Sequence, residues 1–135
     1  MLSVEDELAI HDVISLYGHI IDDRQFSRTH EIFTADALYD VSDFNAGIHV
    51  GWRRIAEYWQ EVEAYHPLAH HATNVIVTED DNGTVRVLSK GIGMRVKASP
   101  LSAVYRDVAV RTADGWRLSE RIGISRSPNR IPAPS

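Results

Sequence analysis

The stretch AHHATNVIVTEDDNGTVRVLSKGIGMRVKA, residues 69–98, decides the fold. Asp80-Asp81-Asn82-Gly83 at its centre is hairpin chemistry, because Asn-Gly accepts the positive φ angles that tight hairpins favour. On one side, Ala69 to Thr78 reads as a strand around the apolar run Val75-Ile76-Val77. On the other, Thr84 to Ala98 reads as a long strand with Gly91 and Gly93 inside it. Interior glycines mark a bend or bulge, and bulges curl a sheet. Toward the C-terminus, Ser99-Pro100 turns the chain and Leu101 to Arg111 forms the next strand. Ala113-Asp114-Gly115 turns it again, into a last strand from Trp116 to about Ser125. The second half is therefore an antiparallel meander.

The first half is mainly helical. Ser3 and Asp6 resemble a capping box, and Glu5, Asp6 and Glu7 suit the positive end of a helix dipole. Ile10, Val13, Ile14, Tyr17, Ile20 and Ile21 then recur at three- and four-residue spacing, so one face is apolar to about Asp22. A short second helix is expected over Phe26 to Phe33. Ala37 to Ser42 and Ile48 to Val50 read as two short extended pieces around the Asn45-Ala46-Gly47 turn. A third helix follows from about Arg53 to Ala64, with Ile55, Tyr58, Trp59 and Val62 on one face; His66-Pro67 ends it. The expected fold class is α+β: a cone-shaped curved antiparallel sheet packed on three helices, enclosing a pocket. Residues 1–126 form one domain, and 127–135 form a loose, proline-rich tail.

Composition narrows the function. The chain has 135 residues, enough for one core. It has no cysteine, so neither disulfides nor thiolate chemistry are available. A net charge of −5 argues against a nucleic-acid surface. No apolar run approaches the roughly 20 residues that span a bilayer. The acidic N-terminus is unlike a signal peptide. The expectation is a soluble cytoplasmic protein that contacts neither nucleic acid nor membrane.

Candidate chemistry centres on His70-His71-Ala72-Thr73-Asn74. Strand alternation puts His70, Ala72 and Asn74 on one face and His71 on the other. Two adjacent strand histidines do not readily share one metal, and no His-x-His or HExxH pattern is present. No metal and no cofactor are expected. His70 shares its face with small Ala72, which leaves room for a ligand. Asp22, at the end of the pocket helix, can accept a hydrogen bond from the imidazole and leave its other nitrogen as a general base. The alternatives are a structural histidine and a solvated helix end.

Tyr17 lies on the apolar stripe, either as core or as a hydroxyl donor to a reacting oxygen. It stands about 140° around the helix from Asp22, so sharing a pocket requires a wide pocket or a frayed helix end. Arg121 either reaches the pocket to bind an anionic group or forms a salt bridge at the strand surface, with Asp107 the candidate partner. Asn74 and Trp59 complete the candidate substrate contacts.

Asp12-Val13-Ile14-x-Leu16-Tyr17, Asp22, Phe33 with Asp36-Ala37, Gly51 with Ile55, His70-His71-x-Thr73-Asn74, and Gly115-Trp116-Arg117 with Arg121 occur in an order that resembles the SnoaL-like proteins. These belong to the nuclear-transport-factor-2-like superfamily. The pattern is most similar to the group containing scytalone dehydratase, bile-acid 7α-dehydratase and hexachlorocyclohexane dehydrochlorinase. That resemblance implies a His70 base oriented by Asp22, with Tyr17 and Arg121 (or, less readily, Arg126) in the site. The dehydrochlorinase carries a lysine where Tyr17 stands, which points away from dehalogenation. The implied function is a cofactor-independent lyase or isomerase, foremost a dehydratase, acting on a small apolar or carbonyl-bearing molecule. The alternatives are a non-catalytic ligand-binding or subunit-association module and, third, a polyketide cyclase. The resemblance also implies a homo-oligomer.

Overall fold

The computed structural model describes residues 1–128, so the expected tail lies almost wholly outside the described residues. Helix α1 spans Val4–Asp22, and the Ser3–Asp6 capping box forms as its sequence requires. Asp6 also accepts from Trp116 Nε1 at 3.1 Å and Arg111 Nη2 at 2.8 Å, which ties the helix start to the last hairpin. The hydrogen bond from the Ser3 backbone leads the causes that hold the Asp6 carboxyl well below its usual range. The expected second helix is a short 3-10 segment, Phe26–Glu31. Helix α2 covers Trp52–Glu61, and a further 3-10 turn, Glu63–Tyr65, leads to His66. No helix among the described residues is long and apolar enough to cross a membrane.

Strands β1 (Phe33–Asp40), β2 (Ile48–Val50), β3 (Ala69–Glu79), β4 (Val85–Met94), β5 (Leu101–Thr112) and β6 (Gly115–Arg126) form one sheet in the order β2-β1-β6-β5-β4-β3. The sheet is curved and unclosed, and α1 crosses its concave face. All neighbours pair antiparallel except β1 and β6, which run parallel. The core lies between α1 and the concave face. Ile10, Ile14, Ile20, Phe33, Trp59 and Leu118 are fully or almost fully buried there.

Gly91 and Gly93 mark no bulge, since β4 pairs with β5 without a break from Val85 to Gly93. The curl accompanies bulges elsewhere. The β3–β4 register shifts between Thr73 and Ile76, where Asn74 takes a left-handed φ of 55°. The β5–β6 register shifts so that Val108 pairs with Glu120 and Ala109 with Leu118, leaving Ser119 as the extra residue. β1 has a third irregularity between Phe33 and Leu38. Each extra residue reverses the inside–outside alternation beyond it.

These reversals override simple alternation on two strands. Past the β3 bulge, Val75 and Val77 turn inward to the core, whereas Asn74 is exposed. Past the β6 bulge, Arg121 joins Trp116 and Leu118 as buried residues, although simple alternation separates them.

Candidate active site

The α1–β3 contact sets the site. A Cβ on Gly18 would meet the His70 carbonyl oxygen at 2.5 Å, so only glycine lets strand and helix approach this closely. That approach brings the start of β3 to the end of α1. The Asp22 carboxylate there accepts the His70 backbone N–H at 2.9 and 3.1 Å through its two oxygens. His70 Nδ1 lies 2.6 Å from Asp22 Oδ1. A carboxylate can only accept, so Nδ1 carries the proton in this contact. The backbone bonds anchor the carboxylate, and the carboxylate orients the ring. Both side chains are partly exposed, at 16% for His70 and 21% for Asp22.

A cavity of about 160 Å³ opens beside this pair. Its lining includes Tyr17, Tyr39, His66, His70, Tyr105 and Arg121. The Asp22 carboxylate stands behind His70, so it need not share the Tyr17 face of α1. The Tyr17 ring meets His70 edge-on, with centroids 6.2 Å apart. Its hydroxyl lies 2.7 Å from that of Tyr39, and Trp59 Nε1 donates to the Tyr39 hydroxyl at 3.4 Å. Burial pushes the Tyr17 and Tyr39 phenols well above their ordinary value, so both remain protonated donors.

Arg121 reaches the cavity and pairs with Asp107, but the pair is buried rather than at the strand surface. The guanidinium donates through Nε and Nη2 to the two oxygens of Asp107 at 2.8 and 2.9 Å. Its Cζ lies 4.3 Å from the Tyr17 ring centroid and 4.1 Å from that of Tyr105. A Cβ on Gly91 would lie 2.5 Å from the Tyr105 ring, so that glycine makes room for the aromatic wall. Burial works against the Arg121 charge, but the Asp107 carboxylate outweighs it and keeps the guanidinium protonated. Burial raises the Asp107 carboxyl, and the guanidinium opposes that rise.

The structure does not bring every sequence candidate together. Asn74 sits in the β3 bulge outside the cavity. Trp59 is fully buried core and reaches the cavity only through the Tyr39 hydroxyl. Arg126 is not part of the lining.

Three of these lining residues, Tyr39, His66 and Tyr105, are not singled out by the sequence. Tyr39 and Tyr105 lie on stretches read only as strands. His66 read only as the residue that ends a helix before Pro67. Burial lowers the His66 imidazole from 6.5 to about 4, and the His70 ring 5.6 Å away adds to this. No group of three or more His, Cys, Asp or Glu side chains among the described residues is arranged to hold a metal.

An uncharacterized protein of Mycobacterium tuberculosis is 32% identical over 131 residues, which cover 90% of this chain and 88% of that protein. A Novosphingobium aromaticivorans structure, provisionally named an aromatic ring hydroxylase, is 27% identical with a TM-score of 0.73. The match covers 95% of this chain and 94% of that one. A second structure from that organism, provisionally named a scytalone dehydratase, shares the fold at 16% identity and a TM-score of 0.70. It covers 92% and 86% of the two chains. Residues 2–122 match the SnoaL-like domain, and the chain belongs to that family.

Proposed function

We propose that the chain is a cofactor-independent dehydratase-type lyase acting on a small carbonyl compound with a hydroxyl on the β carbon. The observation that carries this reading is the 2.6 Å contact between His70 Nδ1 and Asp22 Oδ1 beside the cavity. His70 Nε2 takes the proton next to the carbonyl. The C–H electron pair moves onto the carbonyl oxygen as an enolate. It returns to form the carbon–carbon double bond as the β-hydroxyl leaves. That hydroxyl takes the proton back from His70 and departs as water, so the imidazole ends neutral. Asp22 balances the transient imidazolium. With Tyr39 donating to Tyr17, the Tyr17 proton is free to meet the developing oxyanion.

The same active site runs as an isomerase when the proton returns to a different carbon. A panel of β-hydroxyketones, hydroxysteroids and polyketide intermediates, followed by enone absorbance, tests the lyase reading. Water loss by the wild type that disappears in His70→Ala supports it. Equal rates in the two proteins sink it.

A second reading, subunit association, is favoured by the outer sheet face. Ile76 is 56% exposed and Leu88 46% exposed there, paired across β3 and β4. This face suits a homo-oligomer contact, and light scattering at micromolar concentration checks it. A monomer rules it out.

A further inference from the structure

Arg121 is the most completely enclosed charge of the site. Its side chain is 1% exposed and that of Asp107 is 0% exposed. The bidentate pairing uses one edge of the guanidinium, through Nε and Nη2. Nη1 is buried and has no hydrogen-bond partner among the described residues. The residue carrying it lines the cavity beside Tyr17 and Tyr105. A buried donor left unpaired costs about 1–3 kcal/mol, and more when charged. A ligand oxygen that accepts from Nη1 recovers that cost.

Charge decides which oxygen fits. The guanidinium already has its counter-charge in Asp107. A ligand carboxylate would make a buried cluster of two anions and one cation. Each uncompensated buried charge costs several kcal/mol. A ketone oxygen leaves the cluster neutral and still satisfies Nη1. We propose that Asp107 sets ligand specificity through Arg121, so that the cavity accepts an uncharged carbonyl compound and rejects a carboxylate. Asp107 is a positioning residue in this role, since it acts through the guanidinium. The inference rests on the proton-abstraction reading, in which negative charge reaches that oxygen only during turnover, and it names the substrate class.

Acetophenone and benzoate form a matched probe pair of one ring each, sized for the cavity. They differ in charge and little in shape. Calorimetric titration at neutral pH should show the wild type binding acetophenone roughly tenfold or more tightly than benzoate. Asp107→Asn keeps the side-chain shape but leaves the guanidinium without its counter-charge. Its preference should move toward benzoate by a similar factor. A structural role alone would weaken both ligands together. Benzoate binding as tightly as acetophenone in the wild type, or no acetophenone binding, overturns the proposal. So does an unchanged preference in folded Asp107→Asn. If that variant does not fold, the wild-type pair alone decides. His70→Ala separates the two readings: it abolishes turnover if the base is correctly assigned, and it leaves the ligand preference intact.

Discussion

Two ionic pairs each present their basic member to one cavity and are built in opposite ways. His70 and Asp22 sit at its rim, partly exposed, held by a helix end and the first residues of a strand. Arg121 and Asp107 sit inside the sheet, closed from water, on paired positions of β6 and β5. The rim pair contributes little core burial, so its loss should be felt in chemistry. The interior pair is a desolvated charge and its answer, so its disruption should be felt in stability. Position within the fold, more than residue type, determines what a substitution reports.

Asp107→Ala gives the comparison its severest trial. It strands the guanidinium in the sheet and should cost about 3–5 kcal/mol. Urea unfolding measures this, and a loss below about 1 kcal/mol would make the two pairs alike. On the rim, His70→Ala should cut turnover by roughly 10²–10⁴ with stability nearly unchanged. Asp22→Asn should fall in the same range. The double variant should be little worse than His70→Ala, because the two act as one unit. Additive losses would separate them.

Gly18→Ala probes what holds the rim pair in place. Its new Cβ meets the His70 carbonyl oxygen, so helix and strand must part. A cost of about 1–3 kcal/mol is expected, together with reduced turnover. Full activity would show that the close approach does not set the dyad.

His66 adds a pH signature at the rim. Its imidazole titrates near 6.5 when unfolded and about 4 when folded. Between these values the unfolded chain binds more protons, so stability rises with pH across that window and falls on acidification. His66→Gln should flatten the difference between urea midpoints at about pH 5 and pH 7. An unchanged slope assigns the effect elsewhere. His71→Ala is the smallest change. His71 is exposed, although it also lines the cavity; its loss should stay within about 0.5 kcal/mol of wild-type stability and affect turnover much less than His70→Ala.

Element order was legible in the sequence because its signals are local. Apolar spacing marks α1, Asn82-Gly83 marks the β3–β4 turn, and Pro67 follows the second helix region. His70 and Asp22 were legible for the same reason, one opening a strand and the other closing a helix. Facing was harder to read. A bulge is one extra residue, and it inverts every side chain beyond it. That is why Asn74 leaves the cavity and Arg121 shares the buried face of Leu118. Asn74 did carry a trace of its bulge, since asparagine tolerates a left-handed φ more readily than most residues. Ser119 carried none. Tyr39 reaches Tyr17 from a non-consecutive element, and such pairings leave no mark on local spacing.

The bulges in β3 and β6 also divide the molecule's labour. On one side of each, inward positions are apolar: Val75 and Val77 on β3, Trp116 and Leu118 on β6. On the other side, the same strands carry His70 and Arg121 toward the cavity. Scaffold and chemistry thus occupy adjoining lengths of the same two strands without sharing side chains. A protein engineer could exchange the reactive half for another constellation while leaving the lower half, and the stability it supplies, in its native sequence.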